Sequence, residues 1–201
     1  MYVGRIVVVG KTSRPFAAYR VSSRSFPNRV ARITNVGAAI QPLDPEDMKR
    51  NPYIAYNCLR VSQHGVVVSN GAHTDPIFDL LEKDLAPLDA LRQVLAEMGY
   101  EKDDYNTPRI AGIVTEDKGY LGTVRIDGVE VAEFDLVDNL CRLICTYEMD
   151  HTRLKAYPCF AQSAAEAARF VVSGGIFQEM ELPICAAAWM GVLAVYNPHE
   201  K

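Results

Sequence analysis

The sequence predicts an α+β protein, and three observations carry that prediction. Short strand-like runs fill 3–69 and return over 109–146. Apolar residues recur at helical spacing only over 74–98 and 163–173. No repeat, linker or low-complexity segment divides the 201 residues, and a hydrophobic fraction of 49% suffices for a sizeable core. One domain spanning 1–201 is therefore expected, with elements in the order strands, two helices, four strands, helix, strand. That order fits two packed sheets with helices outside them.

Residues 3–9 read as the first strand, Gly10 to Pro15 as a turn and 16–22 as the second strand. Gly10-Lys11-Thr12 is not a phosphate-binding P-loop, because five residues rather than four separate Gly4 from Gly10, and they are strand residues. Val30–Ile33 and Ala38–Ile40 are short strands, and 44–50 is an exposed acidic loop. Two further strands, 53–61 and 66–68, meet at Gln63-His64-Gly65. Strict alternation over the first puts Tyr53, Ala55, Asn57 and Leu59 on one face and Ile54, Tyr56, Cys58 and Arg60 on the other. Thr74-Asp75-Pro76 opens a helix with Ile77, Leu80 and Leu81 on one stripe. Pro87 opens a second, with Leu88, Leu91, Val94, Leu95 and Met98 in register and Gly99 as its stop. Strands follow at 110–115, 120–126, 129–135 and 140–146, with Asp127-Gly128 as a hairpin signal. Ser163 and Glu166 form a capping box for a helix that Gly174-Gly175 ends. The apolar run Ile184 to Tyr196 reads as one last buried strand.

A net charge of −4 argues against a broad nucleic-acid or acidic-membrane surface. The apolar run 184–196 has 13 residues, against about 20 for a membrane helix. The N-terminus carries no secretory signal, and a cytoplasmic location is expected. Five cysteines, without a Cys-x-x-Cys pair or a histidine at ligand spacing, read as buried thiols rather than a metal site. Arg20 shares a strand face with Phe16 and Ala18, so it needs a partner there: one of the 25 acids, or an anion. Arg24 and Arg29 follow among Ser22, Ser23, Ser25 and Asn28, and arginine forks with small hydroxyl donors suit a phosphate. The charged stretch 100–109 lies between a helix end and a buried strand. It is either a solvated loop or a site loop. His73 in isolation fits a structural histidine.

Four motifs in one order carry a resemblance over most of the chain. They are Tyr19 to Asn28, Asn51 to Asn57, Ser69-Asn-Gly71 with His73-Thr-Asp75, and Tyr100 to Asp103 with Asn106-Thr-Pro-Arg109. Together they resemble the archaeal-type IMP cyclohydrolases. The resemblance implies a four-layer αββα sandwich of the N-terminal-nucleophile (Ntn) hydrolase type. It lacks the nucleophile, since positions 2 and 3 are Tyr and Val, which disfavours an amidohydrolase of that fold. It implies ring closure of 5-formamidoimidazole-4-carboxamide ribonucleotide (FAICAR) to inosine monophosphate (IMP) and water, without metal or other cofactor, with these nucleotides as the small-molecule partners. Oligomeric state is left open. By the same resemblance Arg20, Tyr56 and Glu101 are catalytic. Ser23, Arg24 and Arg29 are expected at the phosphate, and Asn57, Asn70, His73, Asn106 and Arg109 at the base and ribose. A non-catalytic nucleotide-binding module would keep Arg24 and Arg29 without needing Tyr56 and Glu101.

Overall fold

A computed structural model describes residues 1–50, 52–152 and 155–200. Among these residues thirteen strands form two sheets, and every ladder between named strands is antiparallel. One sheet holds six strands: β1 (Ile6–Lys11), β2 (Pro15–Ser22), β10 (Leu140–Cys145), β11 (Tyr157–Pro158), β12 (Pro183–Trp189) and β13 (Leu193–Tyr196). Their order is β11-β10-β1-β2-β12-β13. The other sheet runs in chain order through seven: β3 (Arg29–Thr34), β4 (Gly37–Pro42), β5 (Tyr56–Ser62), β6 (Gly65–Ser69), β7 (Arg109–Val114), β8 (Lys118–Arg125) and β9 (Gly128–Asp135). The helices are α1 (Asp47–Arg50), α2 (Thr74–Leu81), α3 (Pro87–Met98) and α4 (Ala164–Ser173).

The parity of each strand decides what it packs against. Val7 and Val9 of β1, with Ala17, Tyr19 and Val21 of β2, face Ala31, Ile40, Leu59, Val68 and Leu121 of the seven-stranded sheet. Ile6, Val8, Phe16 and Ala18 point the other way and pack on Ala164, Ala168 and Val171 of α4. On the seven-stranded sheet, Val67, Ala111 and Ile113 pack outward on Ile77 and Leu81 of α2 and Leu91 and Val94 of α3. Both sheets are thus covered on both faces, which is why their central strands read as plain aliphatic. Gly112 lets the sheets approach closely, since a Cβ there would sit 2.8 Å from a methyl of Val9.

The structure departs from the sequence reading at several places. The first strand opens at Ile6 rather than at residue 3. The acidic loop contains the single turn of α1. The run 184–196 is two strands, because Met190-Gly191-Val192 turns the chain, with Gly191 at φ +74°. Finally, 52–54 is a 3-10 turn, so β5 begins at Tyr56, and the β4–β5 register shifts: Ala38 pairs with Leu59 but Ala39 with Asn57. That bulge breaks the alternation. Tyr56, Cys58 and Leu59 all enter the inter-sheet core, while Asn57 and Arg60 both turn toward α2. Asn51, which opens its motif, lies outside the described residues.

Candidate active site

A cavity of 710 Å³ opens at one end of the two sheets, within the size range of ligand pockets. It is lined from five directions. Tyr2 and Arg5 come from the segment before β1, and Ser23 to Phe26 and Arg29 from the β2–β3 connection. Tyr53 and Ile54 come from the 3-10 turn, Glu101 and 103–105 from the α3–β7 loop, and Tyr147 and Glu148 from the loop after β10.

Glu101 is the chemical centre of this wall. Gly99, at φ +61°, stops α3, and the next residues drop the chain back under the sheet end. The Glu101 amide donates to the Thr107 carbonyl at 2.9 Å, and Asp103 accepts from both the amide and the hydroxyl of Thr107. These bonds fold 101–107 into a closed loop around Asn106, at φ +48°. Glu101 is 2% exposed, and its carboxyl lies between two guanidinium groups. Arg5 Nη2 donates to Oε2 at 3.2 Å, and Arg109 Nη1 reaches Oε1 at 3.5 Å. Burial raises the Glu101 pKa above its usual value, although Arg5 and Arg109 pull it down. A carboxyl held in this way gains affinity for a proton, as a general base must.

Gly71 closes the back of this cluster. A Cβ there would lie 3.1 Å from Arg109 Nη1, 3.2 Å from His73 Nδ1 and 3.3 Å from Glu101 Oε1. A hydrogen atom is what lets the β6–α2 turn come this near.

The β2–β3 connection brings Ser23, Arg24 and Arg29 together on the cavity wall. Ser23 Oγ accepts from the Phe26 amide at 3.0 Å, and Arg29 Nε donates to the Phe26 carbonyl at 3.1 Å. The Arg24 guanidinium sits 4.0 Å from the ring centre of Tyr2, which in turn stacks on Tyr147 at 5.9 Å. Two cations and two serines on one loop have the chemistry that suits an anion.

Tyr56 is 9% exposed and lies behind the lining residues. Its hydroxyl is 2.7 Å from that of Tyr19, and the rings meet edge to face. Burial raises its pKa, while Arg29 and Arg5 lower it. The phenol is therefore a proton donor at neutral pH.

Several expected site residues lie elsewhere. Arg20 does not reach the cavity. It points into the α4 side of β2, where it is fully buried. Its guanidinium donates to Ser22 Oγ and to the carbonyls of Val171, Val172, Phe177, Met180 and Glu181. Among the described residues its partners are a hydroxyl and backbone carbonyls rather than an acid; it caps the C-terminal end of α4 and the 3-10 turn after it. Asn57 donates to Asp75 at 3.0 Å, beside Arg60, which pairs with the same carboxylate. Asn70 accepts from the Ile110 amide at 2.7 Å and donates to the Pro108 carbonyl at 3.0 Å, tying β6 to β7. His73 Nε2 donates to the Ile110 carbonyl at 2.9 Å, and burial lowers its pKa to about 3. The imidazole is therefore uncharged at neutral pH. Asn106 is exposed and shapes the turn rather than lining the cavity. Arg109 stands behind Glu101, 6% exposed.

Sequence reasoning missed Arg5, Tyr2 and Tyr147. Arg5 carried a signal, being a cation on the parity of Val7 and Val9, which face the second sheet. The two tyrosines carried none. Among the described residues, no group of three or more His, Cys, Asp or Glu side chains is placed to hold a metal ion. No helix among them is long and apolar enough to cross a membrane.

Comparison with known proteins adds to this geometry. Residues 2–192 match the family model described as IMP cyclohydrolase-like protein. The chain is 45% identical over 204 residues to the IMP cyclohydrolase of Methanocella arvoryzae, with 98% of each chain covered. It is 44% identical to that of Methanocaldococcus jannaschii, covering 94% of this chain and 93% of the relative. To that of Methanothrix thermoacetophila it is 43% identical, covering 98% and 100%.

Proposed function

Because this chain belongs to the IMP cyclohydrolase family, we propose that the 710 Å³ cavity is where FAICAR closes to IMP and water. The observation that carries this reading is Glu101, a buried carboxylate between two arginines, on the wall of a cavity that also presents Ser23, Arg24 and Arg29. The loop of serines and arginines takes the 5′-phosphate. The base then lies against Glu101.

In the reaction the carboxamide nitrogen bonds to the formyl carbon of the same molecule. One N–H proton passes to Glu101, which hands it on to the formyl oxygen, now a hydroxyl. The C–O bond then breaks as the former formamide nitrogen gives up its proton, again by way of Glu101, to the departing hydroxyl, so that the C=N bond forms and water leaves. Both reactants are tethered, so the protein has to fix the reactive conformer and move protons. Glu101 accepts the first proton, and the raised pKa that burial gives it suits that task. Tyr56 donates a hydrogen bond toward the formyl oxygen. A module that only bound nucleotides would have no need to bury a carboxylate between cations at this cost.

The layer order, α2 and α3 outside one sheet and α4 outside the other, we read as the four-layer Ntn-hydrolase-like sandwich, in one domain spanning 1–201. Five buried free thiols suit a reducing, cytoplasmic setting. Spectroscopic assay of the purified protein with FAICAR, with and without EDTA, tests the reading. IMP should form at the same rate in both, and formation no faster than the uncatalysed background would overturn it.

A further inference from the structure

The β1–β2 ladder settles which arginine faces the cavity. Ile6 pairs with Arg20 across the two strands, so both side chains lie on the α4 face. Arg5, one residue earlier, shares the opposite parity with Val7 and Val9 and points between the sheets. There it lines the cavity. Its backbone amide donates to Thr146 Oγ1 at 3.0 Å, which anchors the residue just ahead of the strand. Its Nη2 donates to Glu101 at 3.2 Å, and its side chain is 16% exposed. A guanidinium carries five donors in a fixed fork, and Glu101 engages one edge of it. Burial works against the charge, yet Glu101 and the phenols of Tyr19, Tyr56 and Tyr147 lie near enough to strengthen it. Arg5 thus stands near both the base and the phenols, and it is hydrogen-bonded directly to the base.

We propose that Arg5 is a catalytic residue of the ring closure, binding the formyl oxygen as it takes up negative charge while holding Glu101 toward the attacking nitrogen. The sequence resemblance placed Arg20 rather than Arg5 among the catalytic residues, and the proposal rests on the cavity being the cyclisation site. The bonds made and broken are those given above. Arg5 transfers no proton; it stabilises the oxygen between attack of nitrogen and loss of water.

Arg5→Gln removes the charge and keeps a short amide. Its kcat should fall on the order of 10²–10³, while IMP binding stays within about threefold of wild type. With the cation gone, the acid limb of the kcat/KM profile should move to higher pH, because Glu101 then holds its proton more tightly. A purely structural role would not move that limb. In Arg5→Ala, added methylguanidinium should restore activity saturably. Should Arg5→Gln fail to fold, Arg5→Lys keeps the charge and loses the fork, and is expected to bind IMP but lose about tenfold or more in kcat. Arg20→Lys serves as the remote control, with kcat unchanged and thermal stability lowered. A folded Arg5→Gln or Arg5→Lys with wild-type kcat, or a loss confined to KM, overturns the proposal. Wild type that forms no IMP would instead overturn the cyclohydrolase reading. Active wild type beside an equally active Arg5→Gln removes only Arg5.

Discussion

At the scale of single residues, burial raises the proton affinity of the groups proposed for the chemistry. Glu101→Gln keeps size and hydrogen-bonding reach but cannot accept a proton, so kcat should drop on the order of 10²–10⁴ with IMP affinity little changed. Tyr56→Phe removes one donor and should cost on the order of 10²–10³. Rate measurements beside IMP titration check both, and near-normal kcat in a folded Glu101→Gln would send the search for the base to Asp103 or Asp104. His73 makes a different prediction, about stability. Its folded pKa is lowered to about 3 by burial, against a reference of 6.5. Between those values the unfolded chain binds a proton that the folded chain does not. Stability is therefore full above pH 6.5 and falls as pH drops, by about 1.4 kcal/mol per pH unit from this one group. Glu101 acts with the opposite sign. Its folded pKa is raised by burial above 4.5, so its contribution is present below 4.5 and lost as pH rises through the folded value. Urea midpoints taken across the acid range should fall less steeply for His73→Gln, which can still donate to Ile110. An unchanged slope would place the acid sensitivity elsewhere.

At the scale of elements, the chain end of α4 depends on a side chain from another layer. Helices leave their last carbonyls unsatisfied, and here Arg20 supplies donors to those of Val171 and Val172 and to three more beyond. Arg20→Met would strand these carbonyls in a dry interior, at a cost on the order of 1–3 kcal/mol for each that finds no new donor. Arg20→Lys, with three donors instead of five, should fall between. Denaturant unfolding gives the stability, and turnover per folded molecule should stay at the wild-type value for both. A large fall in kcat without a fall in stability would return Arg20 to the catalytic machinery. The same scale explains Asn57: a one-residue bulge opposite Ala38 and Ala39 turns it from the inter-sheet face to the α2 face, where it holds Asp75.

At the scale of the whole molecule, the cavity exists only where both sheets end together with the loops that leave them. A ligand that bridges these loops should therefore stabilise the entire fold. IMP at about 100 times its dissociation constant should add about 2.7 kcal/mol, visible as a rise in Tm. Inosine, lacking the phosphate, should add much less at the same concentration. In Arg24→Ala or Arg29→Ala the difference between the two should shrink, because the lost contact is made only to a phosphate. Equal shifts from IMP and inosine in the wild type would mean that the loop of serines and arginines is not the phosphate site.

The sequence by itself determined the local features. The stops at Gly99 and Gly174, the Ser163–Glu166 cap, the hairpin turns and the apolar stripes of α3 and α4 depend on residues within one turn of each other, and they are where the pattern puts them. It also placed Ser23, Arg24, Arg29 and Glu101 in motifs that the fold brings to one cavity. Parity on β2 correctly grouped Arg20 with Phe16 and Ala18. What parity lacks is a direction. A strand buried on both faces reads the same whether a helix or a second sheet lies on a given side, so only the packing could assign Arg20 to α4 and Arg5 to the cavity. The bulge in β5, the split of 184–196 at Gly191 and the carbonyl cage of Arg20 were likewise decided by tertiary structure, because each is a response to a neighbouring strand or layer distant in the chain.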